Sequence, residues 1–510
     1  MPPKHLVEIE QKFDVDSSTV LPALETLPGV ARVTQPVEHQ LEAEYFDTGD
    51  LRLTSRGITL RRRTGGSDEG WHLKLAPVDG ARHEYHEPLK SSDAGVPASL
   101  LRLVRVHVRD QALDVVARLR TARTVRTLLA DDGGVLAEVS DDVVSAETLL
   151  PAQDNLEQSS QNWREWEVEL VDGSRDLLEA SQALMADAGV VPAAHRSKAA
   201  KLLDAHLPKG QKPAKLKAKS PAGEVLLAYL EEQVHALLEQ DPRVRLNEEG
   251  AIHKMRVATR KMRSALATYR KLLADPETVS FLRGELKLLA GILGEARDAE
   301  VMRERLGALV AEQPDELVLG SVARTIDIEL VTTYKKAHAR VLGALGSTRY
   351  LHLVETLEAL LKEASLSDLA RKPAGAVIPE LLDREVKRLH KAAKRAKGNP
   401  AGIGDHPALH QARKDAKRLR FAAEAAAPVS KKKASRLVEA AHGVQKVLGD
   451  HQDTIVTREL LRRLGAAAAT EGENGFTYGR LHALEEATAL KAEHRFHREW
   501  KNFPSVSLTK

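Results

Sequence analysis

Four charged positions in the second half of the chain occur twice. His253, Arg256, Arg260 and Arg263 return as His410, Arg413, Lys417 and Arg420. Both sets keep the spacing i, i+3, i+7, i+10. At 3.6 residues per turn, that spacing puts all four side chains on one face of an α-helix. A second pair of segments trails them, Leu293-Gly294-Glu295-Ala296-Arg297-Asp298 and Leu448-Gly449-Asp450-His451-Gln452-Asp453. The C-terminal half is therefore an internal duplication, and a positive surface was duplicated with it. Packing gives no reason to build two cationic stripes, and a polyanion is their natural partner.

A length of 510 residues predicts two or three domains. Hydrophobic residues make up 42 %, enough for ordinary cores. The net charge of +3 conceals an asymmetry. Residues 1–210 hold 24 Lys+Arg against 34 Asp+Glu, a net of −10, and the remainder holds 52 against 39, a net of +13. An acidic part is joined to a basic part, which points to two jobs. There is no cysteine, which excludes disulfides, thiolate metal sites and cysteine nucleophiles. The start, Met1-Pro2-Pro3-Lys4-His5, lacks the apolar stretch of a signal peptide, and no window reads as a transmembrane helix. A cytoplasmic location and no membrane partner are expected.

Residues 1–200 read mostly as strands, within a first domain expected over 1–207. Val7–Phe13, Ile58–Arg63, Trp71–Leu75 and Trp163–Leu170 alternate with period two. Turn signals such as Thr64-Gly65-Gly66-Ser67, Asp79-Gly80 and Asp131-Asp132-Gly133-Gly134 separate them. Helices are predicted over 17–27 and 174–188. The expected fold is a closed antiparallel barrel or strongly curved sheet. A Lys-, Pro- and Ala-rich linker is expected over 208–220. Residues 221–507 read as helices in two copies, about 221–370 and 376–507, each a bundle of about four, related by a pseudo-two-fold axis. Arg371–Gly375 marks the joint, with helix breaks at Ser347-Thr348 and Asn399–Gly402. The chain is thus multidomain α+β.

The strands carry charges on one face repeatedly. Glu8, Glu10 and Lys12 share a face. So do Arg61 and Arg63; Arg82, Glu84 and His86; Glu138, Ser140 and Asp142; and Glu165, Glu167 and Glu169. Lys74 lies between Leu73 and Leu75. One such strand is ordinarily a solvated face; this many suggest the inside of a barrel. Clustered carboxylates are costly to bury unless a hard divalent cation neutralises them. Arg and Lys suit phosphate oxygens. A metal bridging carboxylates to phosphates is what phosphoryl transfer requires. No P-loop pattern is present.

Residues 5–205 resemble a CYTH domain of the triphosphate tunnel metalloenzymes. The resemblance rests on Glu8-Ile9-Glu10-Gln11-Lys12-Phe13, Tyr45-Phe46-Asp47-Thr48, Leu60–Arg63, Leu73-Lys74-Leu75, Arg82-His83-Glu84, Glu165–Glu169 and Ser197-Lys198, in that order. It implies an eight-stranded antiparallel tunnel that binds triphosphate with Mg2+ or Mn2+. It implies Glu8 and Glu10 as metal ligands together with Glu167 and Glu169, Glu165 being able to replace one. Phosphate would be held by Arg61, Arg63, Lys74, Arg82 and Arg123. The register of Arg118, Arg120, Arg123 and Arg126 is open, so Arg120 is carried beside Arg123. Lys12 and Lys198 would lie at the reacting end and orient the attacking water or help deprotonate it. Glu84 and Asp142 match acidic tunnel positions, with Glu138, Ser140 and Asp141 as alternatives to Asp142.

Residues 221–505 resemble a CHAD domain, which implies inorganic polyphosphate on the stripes and association with polyphosphate granules. The two histidines are expected to touch phosphate rather than hold a metal. Nucleic acid is the competing polyanion; 4 % aromatics and the lack of a recognition-helix motif weigh against it. The pairing resembles bacterial CYTH–CHAD inorganic triphosphatases. The expected activity is hydrolysis of inorganic triphosphate to diphosphate and phosphate. The competing readings are a non-catalytic polyphosphate adaptor, an ATP cyclase and a thiamine triphosphatase.

Overall fold

The computed structural model describes residues 3–77, 81–89, 95–150, 160–195, 197–207, 215–397 and 407–504. The expected turn at Asp79-Gly80, the linker segment 208–214 and the break at Asn399–Gly402 lie outside them. The chain divides into two compact units, Met1–Lys212 and Pro213–Lys510.

The first unit holds strands β1 (Lys4–Glu8), β2 (Glu10–Val15), β3 (Arg32–Val33), β4 (Val37–Asp47), β5 (Thr59–Thr64), β6 (Gly70–Lys74), β7 (Arg82–Glu87), β8 (Asp114–Leu129), β9 (Val135–Thr148), β10 (Ser160–Leu170) and β11 (Val191–Pro192). Three helices accompany them: α1 (Ala98–Val108), α2 (Arg175–Asp187) and α3 (Lys198–Leu202). β1 and β2 are one run interrupted at Ile9. β1 pairs with β7 and β2 with β10, both antiparallel. Between those partners the order is β7-β6-β5-β4-β8-β9-β10. The β1–β2 run therefore joins both edges and closes the sheet into an antiparallel barrel of eight strand lines. β3 and β11 are two-residue additions on β8 and β2.

Alternation decides the two faces of this wall. Phe13, Trp166 and Val168 point outward and bury against Leu177 and Met185 of α2. The residues between them point into the barrel. At one end the interior is apolar: Ala43, Tyr45, Ala117, Leu119, Val144 and Ala146 pack on Ala199 and Leu202 of α3. That helix plugs the barrel, so the charged part of the interior is a blind cavity. The helix expected over 17–27 does not form; the segment holds only a 3-10 turn at Leu24–Thr26. Pro22 and Pro28 bracket it, and Ser17, Ser18, Thr19 and Val20 are weak helix formers. Its apolar residues Leu24 and Leu27 still bury, in the core under α2.

The second unit is helical: α4 (Ala222–Arg245), α5 (Ala251–Thr268), α6 (Pro276–Ala311), α7 (Val322–Leu345), α8 (Thr348–Glu363), α9 (Asp368–Arg371), α10 (Ala374–Lys397), α11 (Pro407–Ala425), α12 (Lys431–Thr470) and α13 (Phe476–Trp500). Helices α4–α7 correspond to α10–α13, and α8 and α9 belong to the first copy alone. The repeats meet symmetrically where they begin. Ala222 N donates to Lys372 O at 2.9 Å, and the equivalent Ala374 N donates to Ser220 O at 2.8 Å. Further along, the copies share a core: Leu306, Ile326 and Leu330 of α6 and α7 bury with Leu461, Tyr478 and Leu481 of α12 and α13.

Candidate active site and anion-binding cavity

The charged interior of the barrel is a cavity of about 280 Å3 lined by Glu8, Glu10, Lys12, Arg61, Arg63, Lys74, Arg82, Glu84, Arg123, Glu167, Glu169 and Lys198, among others. The side-chain period of two settles the open registers. On β8, Arg123 faces inward, so Arg118, Arg120 and Arg126 face outward. Arg120 is 72 % exposed and pairs with Glu42 at 3.0 Å on the outer wall. It does not belong to the site. On β9, Asp142 faces inward and is fully buried, while Asp141 faces out to Arg164 at 2.7 Å. Glu138 shares the inward face but is exposed at the mouth.

Ser197 explains the position of Lys198. Its Oγ caps α3 by accepting from Ala200 N at 3.1 Å, which fixes the start of the helix. Lys198 then reaches Asp142 at 2.9 Å and Glu165 and Glu167 at 2.7 Å. Lys12 bonds Glu10 at 2.8 Å and also pairs with Glu167. Arg123 forks onto Asp142 and Glu167, each at 2.6 Å. Burial presses both lysines toward the neutral form, but their carboxylates win and raise both above the ordinary lysine range. Both stay ammonium ions at neutral pH. Their position suits holding charge and donating hydrogen bonds, and not taking a proton from water.

Nearer the mouth, Lys74 bonds both oxygens of Glu8, at 2.7 and 2.6 Å. Burial, then a hydrogen bond shared with Glu84, push the Glu8 carboxyl up to about 8 against the pull of Lys74. Glu169 is also raised, by burial first and by Glu10, Glu167 and Glu84, despite Lys74. Arg61 and Arg63 each keep a buried Nε with no hydrogen-bond partner among the described residues. Burial and the neighbouring Arg61 and Arg123 lower Arg63 to about 9, although Asp68 contacts it. Arg82 lines the cavity and is also anchored to the wall: its Nε donates to Leu75 O at 3.2 Å and its Nη2 to Gly57 O at 3.0 Å.

Three of these carboxylates form a donor set for a hard divalent cation, with Lys198 Nζ lying among them. Asp142, Glu165 and Glu167 offer oxygens within 4.8 Å of one another. An all-carboxylate donor set suits Mg2+ or Mn2+. Asp142 thus joins the metal-capable set. Glu8, Glu10 and Glu169 stand outside that trio.

In the helical unit, a cavity of about 680 Å3 gathers both stripes. Arg256, Arg260 and Arg263 of α5 face His410, Arg413 and Lys417 of α11 across it. The repeated Leu-Gly pairs explain how the arginines lie so flat. A Cβ on Gly294 would stand 3.4 Å from Arg256 Nε, and one on Gly449 would stand 3.8 Å from Arg413 Nε. Two of the eight stripe residues do not line the cavity. His253 is exposed on α5. Arg420 turns to Glu424 at 3.1 Å and His442 at 3.0 Å. The histidines have also diverged. His410 Nδ1 lies 2.6 Å from Gln452 Oε1, whereas partial desolvation and the nearby Arg297 hold the exposed His253 below its ordinary range.

The cations in this cavity depress one another. Burial, then Arg260, Arg413 and Arg256, lower Lys417 to about 6. Burial, then Arg256, Arg413 and Arg263, lower Arg260 to about 9. The sequence reading missed Arg283, Lys287, Arg388 and Lys414, which line the same space. Arg283 and Lys287 stand four apart on α6, the one local signal they carry; only packing brings Arg388 of α10 beside them.

Residues 6–191 match the CYTH domain family and residues 228–462 the CHAD domain family. The chain is also 41 % identical, over 500 residues, to uncharacterized proteins of Mycobacterium tuberculosis strains H37Rv and CDC 1551. That similarity covers 95 % of this chain and 93 % of theirs. The chain belongs to the CYTH–CHAD proteins. Its CYTH barrel is of the triphosphate-tunnel enzyme family, whose members depend on a metal, and its CHAD unit has a polyphosphate-related role. Three solved structures are similar to parts of it. PptA from Streptomyces chartreusis is 24 % identical at a TM-score of 0.46 and covers 55 % of this chain and 100 % of that one. The CHAD domain of the plant Ricinus communis is 24 % identical at 0.44, covering 57 % and 97 %. A putative adenylyl cyclase from Hippeastrum, described as having a dominant triphosphatase activity, is 18 % identical at 0.23, covering 40 % and 98 %. No helix among the described residues is long and apolar enough to cross a membrane.

Proposed function

We propose that the CYTH barrel hydrolyses inorganic triphosphate to diphosphate and phosphate, and that the CHAD cavity binds inorganic polyphosphate. The observation that carries the first part is the cavity of mixed charge inside the barrel. Arg61 and Arg63 hold unpartnered buried donors beside carboxylates able to hold a divalent cation. A volume of about 280 Å3 is at the small end for a ligand site, which favours a compact, highly charged ligand over one with a nucleoside.

Arg61, Arg63 and Arg123 would take the phosphate oxygens, with Lys74 beside them. Asp142, Glu165 and Glu167, with Glu8, Glu10 and Glu169, would hold Mg2+ or Mn2+. Such an ion, when bound, draws charge from phosphate oxygens and acidifies water. Lys12 and Lys198 orient the attacking water and balance the charge of Glu10, Glu165 and Glu167. Water adds to a terminal phosphorus, one phosphoanhydride P–O bond breaks, and diphosphate leaves, with the water's proton passing to the phosphate products or to solvent. The second part rests on half-buried stripe cations in the cavity, of which only Arg256 has an ion pair among the described residues, a long one to Asp298 at 3.5 Å; a polyanion relieves that condition.

The test is a substrate panel on the full chain with Mg2+ or Mn2+, read as released phosphate. Inorganic triphosphate should exceed ATP and thiamine triphosphate in kcat/KM. A preference for ATP with cyclic AMP as product would make the barrel a cyclase. Tight triphosphate binding without turnover would make the chain an adaptor.

A further inference from the structure

The duplication is not symmetric in charge, and the asymmetry lies on the helices that open each copy. Pro221-Ala222-Gly223 begins α4 and Pro373-Ala374-Gly375 begins α10, which aligns the two. On α10, Arg384, Arg388, Lys391 and Arg395 stand at i, i+4, i+7 and i+11, so they form a row on one face. All four are exposed. The equivalent positions of α4 are Glu232, Ala236, Glu239 and Arg243. One copy has a cationic row where the other is mostly acidic or neutral.

Arg388 is also a lining residue of the cavity between α5 and α11. The α10 row is therefore continuous with that cavity. Within the row, Arg388 has a weak contact to Glu385 at 3.8 Å. Arg384, Lys391 and Arg395 make no ion pair among the described residues. A solvated helix face ordinarily mixes signs or pairs its charges at i, i+4. This one spans about 16 Å at 1.5 Å per residue, long enough to follow a flexible chain of several charges.

We propose that a polyphosphate chain too long for the cavity leaves it across Arg388 and lies along the Arg384–Arg395 row of α10, with no matching path over α4. This rests on the polyphosphate reading of the cavity and adds the route and a preference for long chains. The ligand is a flexible inorganic polyanion; each contact neutralises one phosphate and releases counterions.

The test titrates the full chain with a short polyphosphate that the cavity can enclose and with a much longer one, at several salt concentrations. A variant carrying R384Q, K391Q and R395Q leaves the cavity lining intact and should keep its helix content. Wild type should bind the long chain more tightly than the short one, per binding site. The variant should bind the short chain within about twofold of wild type and lose the long-chain advantage. Its slope of log affinity against log salt should fall by about 2, the value for three contacts to a flexible single chain. An unchanged long-chain affinity and slope would overturn the route. So would a variant that loses duplex DNA binding while holding long polyphosphate normally. If wild type binds neither chain length, the polyphosphate reading of the cavity itself fails, and the route with it.

Discussion

The barrel and the helical cavity both concentrate arginine and lysine, yet they treat that charge in opposite ways. In the barrel nearly every cation meets a carboxylate: Lys198 touches three, Arg123 two, and Lys74 both oxygens of Glu8. In the cavity, cations face cations, and Lys417 and Arg260 are pushed far below their ordinary ranges. A site that must hold both a metal and an anion needs both signs. A site that only holds an anion can leave the balancing charge to its ligand. The mixture of signs therefore separates a site built for chemistry from one built for holding.

The largest effect should come from breaking the barrel side. Arg61→Ala and Arg63→Ala remove the donors left without partners. Each should lower kcat/KM for triphosphate by about 10²- to 10³-fold, the scale seen when one preorganised donor is lost. Polyphosphate binding by the helical unit should not change. Activity near wild type in both variants would detach these arginines from the substrate.

Next in size are the stripes. Replacing Arg256, Arg260 and Arg263 by Ala should weaken polyphosphate binding and flatten its salt dependence, and replacing Arg413 and Lys417 should add to the loss. Ala is the better helix former, so helix content should hold. Arg420→Ala, His253→Ala and His410→Ala should each have a smaller effect. A binding titration in which Arg420→Ala equals the triple variant would contradict the division seen in the cavity.

A smaller and slower signal is pH. A lysine near 10.4 when unfolded and near 6 when folded binds more protons in the unfolded chain between those values. Ligand-free stability should therefore rise with pH from about 6 upward, by up to about 1.4 kcal/mol per unit from this group. Lys417→Met should remove that slope in thermal melts. Polyphosphate binding near neutral pH should take up a proton, because the ligand restores the ammonium form. Calorimetry in buffers of different ionisation enthalpy would show it. The smallest effect is a null: Arg120→Ala, on the outer wall, should leave turnover unchanged.

Much of this was legible in the sequence because period and spacing carry it. Glu8, Glu10 and Lys12 share an inward face by alternation alone, and the stripes share a helix face by their spacing. Two things were not legible. Parity across β8 could not choose between Arg120 and Arg123 until pairing with β9 placed Asp142 opposite Arg123. The plug at the end of the barrel could not be read either. Ala199 and Leu202 look like any short helix, and only the closed sheet gives them an interior to fill. The segment 17–27 failed as a helix because its apolar residues suit a core while its prolines and hydroxyl side chains do not suit a helix. Arg388 joined the cavity through tertiary packing alone.

The division between the two sites is tested most directly by one chelator experiment on one sample. Phosphate release from inorganic triphosphate and binding of long polyphosphate are measured with Mg2+ or Mn2+ and then in excess chelator. Hydrolysis should vanish and return with added metal, because the barrel carboxylates need the ion. Polyphosphate binding should persist without metal, because the cavity supplies its own positive charge. Full turnover in chelator, or polyphosphate binding that is lost with the metal, would contradict it.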